Sequence, residues 1–290
     1  MAENQKYFYS KILLFGEYTV TVGSNALAVP LHTYKGSWHI DRINQRQNPD
    51  LNHLLYHINS HNMLVNCLDA DSLEADIAAG LFFDSNIPIG YGLGSSGALV
   101  AALYDDYAKN KAIDLNELKS IFSAIESEFH GSSSGLDPLV SYLNQAIILG
   151  EDQNLSTSNL SISNMGFFLI DTGITRHTLP LVSGFKDKIE RSPEFQNIVF
   201  ELSMINEDAI RAILSNRVHH AVMKDISAIQ LAHFREMIPE SFQELWSKGL
   251  KKGQYYLKLC GAGGGGMILG WSADIDMVKN EFRNYKLKFI

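Results

Sequence analysis

The sequence has little of three things, and each shortage excludes something. It holds only two cysteines in 290 residues, Cys67 and Cys260. They form neither a metal-spaced pair nor a disulfide framework, so both are expected to be reduced thiols in a cytoplasmic protein. Basic residues are also short: 24 Lys and Arg stand against 32 Asp and Glu, a formal net charge of −8. With no clustered basic tract, nucleic acid and anionic membrane are poor partners for this chain. An anionic small molecule would need a local cationic pocket. Long apolar runs are missing as well; none approaches the roughly 18 residues of a spanning helix. The polar start Met1-Ala2-Glu3-Asn4-Gln5 predicts no secretory signal. What remains is ordinary globular material, 46% hydrophobic and 19% charged. At about 150 residues per domain, the length suggests about two domains.

Periodicity sketches an α+β chain. Tyr7 to Phe15 reads as a strand, Ala26 to Leu31 as a second, and Trp38-His39-Ile40 as more sheet. A helix is expected from near Leu54, a short element over Ser72 to Ala79, and a strand at Leu81-Phe82-Phe83. Ala98 to Ala108 reads as helix. Asp114 with Glu117 makes a capping box for another, along which Leu115, Leu118, Ile121, Phe122, Ile125 and Phe129 recur at helical spacing. Ala146 to Leu149 is a short strand. Glu151 to Asn164, rich in Ser, Asn and Thr, reads as an interdomain linker. It divides the chain into 1–160 and 161–290. The second half opens with a strand at Gly166 to Asp171. Helical patterns follow around Asn197–Leu214, Val218–Ile229 and Phe242–Gly249, then a strand at Tyr255 to Leu259.

Three constellations carry chemistry. The first is Pro88 to Ala98, with Gly92-Leu93-Gly94-Ser95-Ser96-Gly97 at its centre. Glycines let backbone amides approach a phosphate, and a following helix N-terminus adds its positive end. A glycine turn with a serine cap would explain the same residues. A dinucleotide fingerprint would not: Asp114, the acid at the expected distance, caps a helix instead of ending a strand. Nor would a P-loop, because Ala98 occupies the lysine position. The second constellation is Glu126 to Asp137, a carboxylate late on an amphipathic helix and another beyond a Ser/Gly turn. Converging carboxylates can divide metal binding and proton transfer between them. A solvated helix end followed by an Asx-type turn at Asp137-Pro138 is the alternative. The third is Lys258-Leu259-Cys260-Gly261-Ala262-Gly263-Gly264-Gly265-Gly266. Four consecutive glycines cost conformational entropy, so the loop is expected to need positive φ or close backbone approach.

Taken together and in order, these stretches resemble the GHMP kinases, a superfamily that includes galactokinase, homoserine kinase, mevalonate kinase and phosphomevalonate kinase. Ser10 to Tyr18 resembles the first motif, Gly92 to Ala98 the second and Lys258 to Gly266 the third. Glu126 to Asp137 is most similar to the mevalonate kinase pattern, as in short bacterial mevalonate kinase-like proteins. The resemblance implies an N-terminal domain like ribosomal protein S5 domain 2 and a ferredoxin-like C-terminal domain. It implies ATP in the cleft, phosphates on Gly92 to Gly97, and Mg²⁺ on Ser96 and Glu126. It makes Asp137 and Lys11 the catalytic pair, and Glu17, Tyr18, Arg176, Gly261, Ala262 and Gly263 the substrate side. A small alcohol, mevalonate above all, would be the partner of a monomer or homodimer. Two departures stand out. Gly16-Glu17-Tyr18 replaces the GEH of mevalonate kinases, which keeps phosphomevalonate open as acceptor. Ser95-Ser96-Gly97 replaces Ser-Ser-Ala. A silent ligand sensor on the same fold is expected to lose Asp137, Glu126 or Lys11, and none is lost.

Overall fold

The computed structural model describes residues 5–41, 49–131, 133–150, 152–175 and 178–290. Its first sheet contains β1 (Phe8–Phe15), β2 (Ala26–Ile40), β3 (Leu81–Ser85), β4 (Ala146–Leu149) and β5 (Leu155–Ser158). All pairings are antiparallel, in the order β1-β2-β4-β5 with β3 also on β2. Its helices are α1 (Pro49–Ser60), α2 (Asn62–Cys67), α3 (Ala70–Ala78), α4 (Ser95–Tyr107), α5 (Leu115–His130) and α6 (Leu136–Leu143). Ala28 and Ile147 from the sheet meet Leu54, Tyr104, Phe122 and Leu139 from these helices in one apolar cluster.

The second sheet has the order β7-β8-β6-β9, built from β6 (Phe167–Asp171), β7 (Tyr256–Leu259), β8 (Met267–Trp271) and β9 (Lys286–Phe289). It too is antiparallel throughout. Helices α7 (Thr178–Arg191), α8 (Pro193–Leu214), α9 (His220–His233) and α10 (Glu240–Lys252) connect β6 to β7, and α11 (Ile275–Glu281) connects β8 to β9. That strand order and the split βαβ connections are ferredoxin-like, as expected.

The two halves share a core. Phe8, Ile12 and Phe15 of β1 belong to the same buried cluster as Phe167 to Ile170, Trp246 and Phe282. Ser10, Lys11 and Ile12 are consecutive and all buried, so β1 is covered on both faces. Helices α4 and α6 lie on it from one half and α8 from the other. No described helix is long and apolar enough to cross a membrane.

Several elements differ from the sequence expectation. Strand β2 is one 15-residue strand, not two pieces. Within the expected linker, Leu155–Ser158 pairs with β4 as an edge strand. Its Ser/Thr content resembles a loop because neither face is well buried. Asp137 does not head an Asx-type turn; it lies in the first turn of α6, whose N-cap is Gly135 at φ 71°. The expected cap at Asp114 is present, its carboxylate accepting from the N–H groups of Asn116 and Glu117.

Candidate active site

Strand β1, the loop before α4 and the start of α6 bring the first charged pair together. The Lys11 N–H donates to the Leu93 carbonyl at 2.9 Å, pinning the strand to the glycine loop. The Lys11 ammonium then sits 2.8 Å from Asp137 Oδ1. The lysine side chain is 10% exposed and that of Asp137 35%, so the carboxylate is the member that faces open space. Sequence alone separates these residues by more than two fifths of the chain.

Two glycines make that approach feasible. Gly94 is the left-handed N-cap of α4 at φ 76°, and a Cβ there would lie 3.0 Å from Lys11 Cγ. Gly97, inside the first turn of α4, faces the Asp137 backbone. A Cβ at Gly97 would come within 2.8 Å of the Asp137 carbonyl carbon and 2.9 Å of Pro138 N. The Ser-Ser-Gly departure thus has a packing reason: the N-termini of α4 and α6 are pressed together where an alanine would collide.

Glu126, on α5, completes the cluster. It is 4% exposed. Its Oε1 accepts from Ser96 Oγ at 2.9 Å, and its Oε2 accepts from Ser133 Oγ. Burial, and then the neighbouring Asp137 carboxylate, push the Glu126 carboxyl up to about 7. Ser133 was not singled out by the sequence reading. Its hydroxyl also receives the Gly135 N–H at 3.0 Å, which shapes the turn into α6. The signal was available only as one of several adjacent serines. Among the described residues no group of three or more His, Cys, Asp or Glu side chains forms a cage for a metal.

The residues expected on the substrate side divide differently. Glu17 is 1% exposed, and its carboxylate is taken by the Lys258 ammonium inside the protein. Tyr18 is 5% exposed and its hydroxyl donates to the Ala262 carbonyl at 2.6 Å. Both side chains therefore point into the C-terminal half, because the segment after β1 inserts between the two sheets. Arg176 lies outside the described residues. Gly261, Ala262 and Gly264 of the third motif are half-buried, and Gly263, Gly265 and Gly266 are buried. Gly263, Gly264, Gly265 and Gly266 all have positive φ. Close backbone approach is evident too: a Cβ on Gly266 would lie 2.9 Å from the Cα of Tyr91, the residue before the second motif. The Gly266 carbonyl receives the Thr172 N–H and hydroxyl, and its N–H donates to Ile174. All three motifs thus converge on one region, with Lys11, Asp137, Ser96 and Glu126 as its polar centre.

A glycine loop on a helix N-terminus, a Lys–Asp pair and a buried glutamate on this two-sheet fold are what a GHMP kinase calls for, and the chain is similar to that superfamily in part of its sequence and in its fold. Residues 62–145, which contain the glycine loop, Glu126 and Asp137, match the GHMP kinases N terminal domain. Within the superfamily the chain is similar to mevalonate kinases. It is 28% identical to the mevalonate kinase of Archaeoglobus fulgidus over 273 residues, covering 90% of this chain and 89% of that one. Its fold superposes on L. major mevalonate kinase in complex with R-mevalonate with a TM-score of 0.69 at 16% identity. That match covers 97% of this chain and 91% of the other. Streptococcus pneumoniae phosphomevalonate kinase superposes equally well, with a TM-score of 0.69 at 15% identity over 99% and 100% of the two chains.

Proposed function

We propose that the protein transfers the γ-phosphoryl group of ATP to the primary alcohol of mevalonate. The observation that carries this reading is the Lys11–Asp137 pair, 2.8 Å apart beside the Gly92–Gly97 loop and open to solvent on the carboxylate side. Phosphoryl transfer asks a protein for positioning and charge neutralisation more than for covalent chemistry. The loop amides of Gly92 to Ser96 and the start of α4 would hold the phosphates. Asp137 would accept a hydrogen bond from the alcohol, orient its oxygen and take its proton as the O–P bond forms. Lys11 would pair with Asp137 and offset negative charge developing beside it.

Magnesium fits the donor set. Ser96 and Glu126 present hard oxygen ligands in mutual contact, and Mg²⁺ commonly takes one or two protein oxygens and fills its shell with phosphates and water. When bound, it would neutralise phosphate charge. Glu126 would have to be ionised to hold it, and burial opposes that in the metal-free protein. The folded carboxyl keeps its proton where the unfolded chain has lost it. This group's contribution to stability therefore falls as pH rises from 4.5 to about 7. By the same linkage, apparent Mg²⁺ affinity is expected to rise with pH up to about 7 and level off above it. Magnesium titrations of nucleotide binding between pH 6 and 8.5 test this. Glu126→Gln should flatten the dependence, and Ser96→Ala should raise the magnesium requirement. Titrations that overlay the parent's would remove both residues from the metal site.

The choice of mevalonate over phosphomevalonate rests on charge. The second acceptor carries an additional phosphate, which calls for additional Arg or Lys. Both motif lysines are already committed, Lys11 to Asp137 and Lys258 to Glu17. Arg176 would serve the single carboxylate of mevalonate. Steady-state kinetics with both acceptors is the test. A higher kcat/KM is expected for mevalonate; the reverse order would make the protein a phosphomevalonate kinase and leave the Lys11–Asp137 chemistry standing.

A further inference from the structure

Three consecutive side chains leave β1 and enter the C-terminal half. Glu17 meets Lys258 of β7 with both side chains fully buried. Tyr18 reaches Ala262, and its ring packs 4.8 Å from that of Phe185 and 5.8 Å from that of Phe234. Thr19 Oγ1 accepts from Asn206 Nδ2 of α8 at 3.2 Å, again inside the protein. Tyr18 adopts φ 64°, a left-handed conformation that a tyrosine rarely takes. Such a conformation persists where the surroundings over-determine it, and here the anchors on either side do so.

The Ala262 carbonyl belongs to the glycine loop of the third motif. A trans peptide fixes the N–H of the next residue on the opposite side from its carbonyl. Holding that carbonyl therefore sets which way the Gly263 amide faces. The loop beyond is tied at two further points, Gly264 N–H to the Met237 carbonyl at 2.6 Å and Gly266 N–H to the Ile174 carbonyl at 2.7 Å. Tyr18 is thus the tie that comes from the N-terminal half.

We propose that Tyr18 is a positioning residue whose hydroxyl sets the Gly261–Gly266 loop against the phosphate loop, and that it does not touch the acceptor. The kinetic part of the argument rests on the kinase reading above; the structural part rests on the contacts alone. A phenol suits this role because it spans from a buried ring to the carbonyl.

The test is Tyr18→Phe, which keeps the ring packing and removes only the hydrogen bond. Amide exchange in the ligand-free full-length chain should become about tenfold faster at Gly264 and Gly266, the effect of one ordinary hydrogen bond. Amides of β1 should exchange at the parent's rate. With acceptor and ATP, kcat should fall about tenfold while the acceptor KM stays within about twofold. Unchanged exchange in the loop would overturn the proposal. So would a raised acceptor KM at constant kcat, which is the signature of a substrate contact. If the parent phosphorylates neither acceptor, the proposed function fails, and the exchange rates still decide the role of Tyr18.

Discussion

Asp137→Asn is expected to lower kcat by about 10²–10⁴-fold, the usual effect of losing a positioned acid–base group. Nucleotide binding should stay near the parent's value. The reasoning is geometric. Asn keeps the shape of the side chain, so the close approach of Gly97 to the Asp137 backbone survives and the glycine loop stays in place. What disappears is the negative charge that can take the alcohol proton and that pairs with Lys11 at 2.8 Å. Because Asp137 is about one-third exposed, its neutralisation leaves the lysine partly able to reach water, and the fold should tolerate the change. Single-turnover rates together with fluorescence titration of a nucleotide analogue separate the two effects. Near-normal turnover would sink the assignment of Asp137; loss of nucleotide binding with the rate would place it in the phosphate site instead.

The second large effect concerns stability. Lys258→Met should destabilise the protein by about 3–5 kcal/mol, because it leaves the Glu17 carboxylate buried and uncompensated. Both side chains of the pair are fully buried, so solvent does little to screen the interaction. Among the described residues Glu17 Oε2 has no hydrogen-bond partner, which leaves the lysine as the carboxylate's main support. Burial raises the Glu17 pKa even with that lysine present, and removing the lysine should raise it further. A carboxyl that holds its proton in the folded state costs stability as pH rises above its unfolded value. The deficit of Lys258→Met should therefore grow as pH rises above 4.5. The double variant Glu17→Met with Lys258→Met removes both charges and should recover most of the loss, as replacement of buried pairs by apolar residues often does. Urea denaturation of the three proteins at two pH values measures this. A single variant as stable as the parent would mean that water reaches the pair.

The two residues of each pair illustrate what was legible in advance and what was not. Glu126, Asp137 and the Gly92–Gly97 loop stood out as motifs because phosphate and metal chemistry restricts residue types to glycine, hydroxyl and carboxylate at short spacing, whereas Lys11 followed only from the family resemblance. Strands such as Phe8–Phe15 and helices such as Leu115–His130 were legible because their burial has a period that local sequence records. Helix α6 was harder: its eight residues follow a glycine N-cap and include a proline, and the preceding serines suggest a turn. Strand β8 follows four glycines, and β9 is an edge strand with Lys286 and Lys288 on it, so neither advertises itself by composition.

Local chemistry alone determined the glycine loops, the helix caps and the inventory of candidate catalytic groups. Those depend on backbone conformation and functional-group type, which neighbouring residues encode. The tertiary structure decided which groups meet. It put Lys11 against Asp137 across 126 positions of sequence, and gave Glu126 to Ser96 and Ser133. It also turned Glu17 and Tyr18 into the C-terminal half. The direction of a side chain at the seam between two sheets depends on what packs from the other side. For Tyr18 that partner is Ala262, 244 residues away in sequence, and no local pattern at Gly16-Glu17-Tyr18 could encode it.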